Sequence, residues 1–128
     1  MRSVLIPNLM VEDVASTVRF YQDVLNFELQ MGVEPVDNAP PNFVTELTKD
    51  MMLEWANMTG LGAEVMFQER NSFTAEVPAL EGAAIGASQT LYFRIEEDID
   101  AHYENIKDKV TVVVEPTTKF YGMREWYM

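Results

Sequence analysis

The sequence contains no cysteine and a single histidine, His102, in 128 residues. The first absence excludes disulfides, thiolate metal sites and cysteine nucleophiles. The second excludes an iron centre of two histidines and a carboxylate built from strand ligands, because His102 falls in a helical pattern. His102 is expected to be a helix residue packed on a sheet. Positive charge is also scarce: nine Lys and Arg stand against 21 Asp and Glu, a formal net charge of -12. Such a chain repels phosphate backbones and anionic lipid surfaces, so nucleic acid is not an expected partner, whereas a cationic small molecule is compatible with it. No apolar run approaches the about 20 residues of a membrane helix. The start, MRSVLIPNLMVEDV, has neither a long apolar stretch nor a small-residue cleavage site. The expectation is a soluble cytoplasmic protein with no membrane partner.

What is present suffices for one core: 48% of the residues are hydrophobic, enough for a single domain over residues 1–128. Residues 4–11 are branched and apolar around Pro7 and read as a strand start or edge strand. Asp13 can cap a helix in which Val14, Val18, Tyr21 and Leu25 form one stripe, and Asn26 is a stop. Residues 27–33 read as a strand, PVDNAPP interrupts the chain, and residues 42–52, where Phe43, Leu47 and Met51 make a helical stripe, read as helix or irregular although their β-branched content also permits a strand. LEWANM (53–58) and AEVMFQ (63–68) read as strands of a hairpin joined through TGLG, whose glycines supply positive φ. A surface connector follows, with room for a short helical turn.

Beyond the connector, TLYFRI (90–95) reads as a strand, and Asp98 caps a helix whose face carries Ile99, His102, Tyr103 and Ile106. VTVVVE (110–115) reads as a strand ended by Pro116, and REWYM (124–128) as a strand after a Tyr-Gly turn. The order of elements in the first half is thus echoed in the second. FYQDVL lies over HYENIK, and LMV-ED over FRI-EE.

These blocks, VEDVASTVRFYQDVLNF, AEVMFQE and FYGMREW in a repeating βαβββ order, resemble the vicinal oxygen chelate superfamily, which includes glyoxalase I, extradiol dioxygenases and bleomycin resistance proteins. The resemblance implies an α+β fold. Two βαβββ modules would form a curled mixed sheet around a cavity, with residues 1–70 as the first module, 71–87 as connector and 88–128 as an incomplete second module. It places metal-ligand positions at Ile6 and Thr90, which are unsuited to a transition metal, and at Glu64, which is suited. A fourth position belongs to a last strand past Met128, so FYGMREWYM is expected to lead into a strand missing from this sequence. The implied cofactor set is therefore none, with a divalent metal the less favoured alternative.

Strand alternation then names the faces. With Glu64 facing the cavity, Met66 and Gln68 face it too, and Ala63, Val65 and Phe67 back onto a helix. The same parity puts Thr90, Tyr92 and Arg94 inward and Leu91, Phe93 and Ile95 under a helix. On the first strand, Ile6, Asn8 and Met10 turn to the cavity and Leu5, Leu9 and Val11 to the core. The candidate ligand-binding set is Asn8, Trp55, Glu64, Met66, Gln68, Thr90, Tyr92, Arg94 and Tyr121. Two readings remain open. One is a metal-free protein of the bleomycin-resistance type that sequesters a small ligand, a cationic one included, as a homodimer. The other is a lyase, isomerase, glyoxalase or dioxygenase-like enzyme that uses Glu64 as general base or metal ligand, with Arg94 stabilising an oxyanion.

Overall fold

The computed structural model describes residues 4–86 and 88–128. They form an α+β fold in two compact units, one running to Leu91 and the other from Tyr92 to Met128.

In the first unit, β1 (Asn8–Val11) leads into α1 (Val14–Leu25), followed by β2 (Glu28–Glu34), β3 (Asn42–Val44), β4 (Trp55–Gly60), β5 (Ala63–Glu69) and α2 (Arg70–Glu76). Both ends of α1 are locally encoded. The Asp13 carboxylate accepts the Ser16 N–H at 3.0 Å, and Asn26 closes the helix at φ 58°, the left-handed conformation that asparagine tolerates. The expected stripe is present: Val14, Val18 and Leu25 are buried. Tyr21 lies against Phe67 and Phe27, with ring centroids 4.7 and 5.2 Å away.

The five strands form one mixed sheet in the order β1-β5-β4-β2-β3, with β1 parallel to β5 and the other pairs antiparallel. Its core lies under α1, where Val65, Phe67, Ala56 and Met58 are buried. The β4–β5 hairpin turns through Leu61 and Gly62, at φ 51° and 73°. Positive φ at both central positions is a type I′ turn, which matches the strand twist but strains leucine. Beside it, Gly60 admits no side chain, since an added Cβ would stand 2.4 Å from the Phe27 ring.

The second unit contains α3 (Ile99–Ile106) and an antiparallel pair, β6 (Val114–Thr118) and β7 (Arg124–Tyr127). Asp98 caps α3 by accepting the Ala101 N–H at 2.9 Å. Gly122, at φ 90°, turns the chain between the two strands. Trp126 on β7 packs on α3, its ring 5.7 Å from His102 and 5.2 Å from Tyr103, and its Nε1 donates to His102 Nδ1 at 3.3 Å. His102 is thus a packing residue of a helix.

Several expectations are corrected. Residues 90–95 form no strand: the alternation of Leu91, Phe93 and Ile95 is a side-chain pattern, and a strand also requires a partner ladder. Leu5 and Leu91, expected in the core, are 92% and 37% exposed. The strand expected over 110–115 lies at Val114–Thr118, so Pro116 is inside it and does not end it. Proline is tolerated there because the four residues of β6 from Val114 to Thr117 lie opposite three of β7, from Glu125 to Tyr127, a bulge in which a ladder donor is dispensable. Residues 42–52 begin with the short strand β3, whose three residues are too few to show a period. α2 starts at Arg70, the last residue of the expected first module, and runs through the start of the connector to Glu76, capped by the Glu69 carboxylate on the Ser72 N–H.

Candidate functional site

The sheet of the first unit has one face under α1 and one turned away from it. Register places Asn8, Met66 and Asn57 side by side on the second face, across β1, β5 and β4, with Gln68 beside Trp55 and Glu64 beside Thr59. This is the parity expected for β5: Val65 and Phe67 are buried under the helix, and Glu64, Met66 and Gln68 alternate with them. The polar groups are wired together. Gln68, 5% exposed, accepts from Asn8 Nδ2 at 2.9 Å and donates through Nε2 to Ser72 Oγ at 3.0 Å and Glu76 Oε2 at 3.2 Å. The Glu64 carboxylate accepts from Asn57 Nδ2 at 2.8 Å, and Thr59 Oγ1 accepts from Gln30 Nε2 at 2.8 Å. Trp55 and Met66 are half-buried and Met31 is exposed, which leaves flexible thioethers and an indole among fixed polar groups.

The second unit concentrates its polarity on one carboxylate. Glu125 is 6% exposed on the face of β7 opposite Trp126. Its Oε1 accepts from Tyr121 at 2.7 Å and Tyr92 at 3.0 Å, and its Oε2 from Tyr127 at 3.1 Å. Three phenolic donors hold the Glu125 carboxyl below its ordinary pKa, Tyr121 most strongly, against the opposing effect of burial. The phenols respond in the opposite sense. Tyr121 is pushed up to about 12, chiefly by its hydrogen bond to Glu125. Tyr92 and Tyr127 are raised for the same reason, and for Tyr92 the positive charge of exposed Arg94 works against the rise.

Of the residues singled out from sequence, Asn8, Trp55, Glu64, Met66 and Gln68 share the sheet face of the first unit. Tyr92 and Tyr121 meet at Glu125 in the second. Thr90 lies in an exposed irregular segment, and Arg94 is exposed. Sequence reasoning missed two members. Asn57 follows Trp55 by two on the same strand, so the parity already used for β5 identifies it. Glu125 had only the Glu125–Tyr127 alternation as a signal, because its other partners lie outside the strand.

A separate cavity of about 650 Å³ lies between α1 and residues 47–53, away from the polar sheet face. Part of its charged lining is engaged in the fold, with Glu12 paired to Arg70 at 2.6 Å. Asp13 and Glu69 are helix caps, and Arg19 donates to the Thr48 carbonyl at 3.3 Å.

Residues 4–127 match the Glyoxalase/Bleomycin resistance protein/Dioxygenase superfamily. The chain belongs to that superfamily. Its fold is similar to that in the crystal structure of TioX from Micromonospora sp. ML1, with a TM-score of 0.56 at 15% identity, covering 97% of this chain and 84% of that one. At that identity the likeness is one of fold. No curated protein matches the sequence. Superfamily metalloenzymes hold a divalent ion; among the described residues no three of His, Cys, Asp or Glu are grouped to hold one. The partner of Glu64 is the Asn57 amide, whose Nδ2 donates and cannot ligate. Among the described residues no helix is long and apolar enough to cross a membrane.

Proposed function

We propose that the chain binds a small organic molecule on the polar face of the first unit's sheet, without a metal, and acts by sequestering it. The observation that carries this reading is the alignment of Asn8, Trp55, Asn57, Glu64, Met66 and Gln68 on the one sheet face that α1 does not cover. Small-molecule sites combine adaptable apolar surface with a few oriented polar groups, and Met and Trp supply the former here while the wired amides and carboxylate supply the latter. Glu64, together with the formal charge of -12, favours ligands that are cationic or rich in donors.

Trp55 is the natural reporter. In a Trp126→Phe background, titration with a panel of aromatic cations and neutral aromatic amides is expected to give saturable quenching of Trp55 fluorescence, weakened by Met66→Ala and by Glu64→Gln. Quenching that never saturates, or that ignores both substitutions, would count against the reading.

A further inference from the structure

Two side-chain oxygens on this face are buried and have no hydrogen-bond partner: Asn8 Oδ1 and Asn57 Oδ1. Their orientation is dictated by the network. The Glu76 carboxylate only accepts, so Gln68 must point Nε2 at it and Oε1 at Asn8, which in turn must present Nδ2. Glu64 likewise accepts and requires Nδ2 from Asn57. Neither amide can flip without placing two acceptors in contact. The unpaired atoms are therefore both carbonyl oxygens, aligned with the same residue, Met66, from the two strands that flank β5. Strand spacing puts the two positions about 10 Å apart.

A buried acceptor without a donor is destabilising and is regained by any group that brings one. Each of these amide nitrogens already donates to an acceptor, Asn8 to Gln68, Asn57 to Glu64, Gln68 to Ser72 and Glu76, and Gln30 to Thr59, whereas the two Asn carbonyl oxygens have no partner at all. We infer that Asn8 and Asn57 select the ligand class: a molecule that presents N–H donors, such as a primary amide, amine or amidine, and not one bounded by carboxylate or phosphate oxygens. Met66 is the movable element between them. Its unbranched thioether side chain swings aside and admits a donor to either oxygen. This inference rests on the proposed binding face and specifies what that face accepts.

The test uses one aromatic scaffold with different polar groups, observed through the ¹³C-methyl signals of the methionines, with Met66 assigned by its loss in Met66→Leu. Benzamide and benzamidine are expected to shift the Met66 methyl saturably. N,N-dimethylbenzamide, which keeps the shape and has no N–H, and benzoate are expected to bind at least about tenfold more weakly. Asn57→Leu is expected to erase the preference for benzamide over its dimethyl analogue, with the buried Met58 methyl reporting that the fold is intact. If all four probes bind alike, the selection by donors is wrong while the binding face stands. If none moves Met66 up to its solubility limit, both fall. The wild-type comparison decides the matter even if the variant fails to fold.

Discussion

Tyr121 donates its phenolic hydrogen to Glu125 Oε1 at 2.7 Å, four residues along the chain and across the turn that enters β7. The bond ties an exposed loop tyrosine to a buried carboxylate. Tyr92 shares the same oxygen from a segment 33 residues away.

The titration of Tyr121 follows from this contact. Its folded pKa of about 12 lies above the ordinary phenol value, so the bond contributes stability that is complete below pH 10 and is lost as pH rises through 12. Glu125 is lowered, so its share is present above the ordinary carboxylate pKa and is lost as pH falls through the folded value. ¹³Cζ-tyrosine NMR is expected to show Tyr121 titrating near 12 in wild type and closer to 10 in Glu125→Gln. An unchanged Tyr121 curve in that variant would show that the bond is not formed.

Leu61 is held at φ 51° in the first central position of a type I′ turn. Asparagine adopts that conformation with less strain. Leu61→Asn is expected to stabilise the chain by about 1 kcal/mol in urea unfolding. A loss of stability would mean that the leucine side chain contributes packing that exceeds its backbone strain.

Glu64→Gln preserves an Oε1 acceptor for Asn57 Nδ2 while removing the charge. Stability is expected to stay within about 0.5 kcal/mol of wild type, and binding of a cationic probe such as benzamidine to fall about tenfold or more. A fall of several kcal/mol in stability would make the Glu64 carboxylate a structural acceptor for Asn57 and not a ligand contact.

Metal content discriminates the binding reading from the enzyme reading. Purified protein is expected to contain no stoichiometric Zn, Ni, Mn or Fe, and added Zn or Mn is expected to leave the thermal midpoint unchanged. About one ion per chain, lost in Glu64→Gln, would restore the metalloenzyme reading.

Sheet edges bear on association. β1 ends its five-stranded sheet, and among the described residues β6 and β7 pair only with each other, so each has backbone groups outside its own ladder. We propose a homodimer that covers such edges. Light scattering at micromolar concentration is expected to give twice the chain mass of 14.6 kDa; a stable monomer refutes the proposal.

Sequence by itself determined what depends on short-range chemistry. Asp13 and Asp98 are recognisable caps because a carboxylate meets an amide three residues on. The stripe of α1 and the two faces of β5 follow from periods of 3.6 and 2, which require no knowledge of the partner surface. The hairpin through TGLG was legible from its glycines, but of the two only Gly62 takes positive φ, and Leu61 takes the other left-handed position, because the pairing of Gly60 with Ala63 sets which residues turn. Tertiary structure decided everything that needs a distant partner. Residues 90–95 alternate like a strand yet have no ladder. Pro116 sits inside β6 because the register with β7 leaves a bulge there. The orphaned oxygens of Asn8 and Asn57 arise because Glu76 and Glu64 fix the amide orientations, in the case of Asn8 through Gln68, 60 residues away. Glu125 became a site only when Tyr92, Tyr121 and Tyr127 were brought to one carboxylate. A hydrogen bond acts over about 3 Å of space, and sequence separation does not encode which groups come that close.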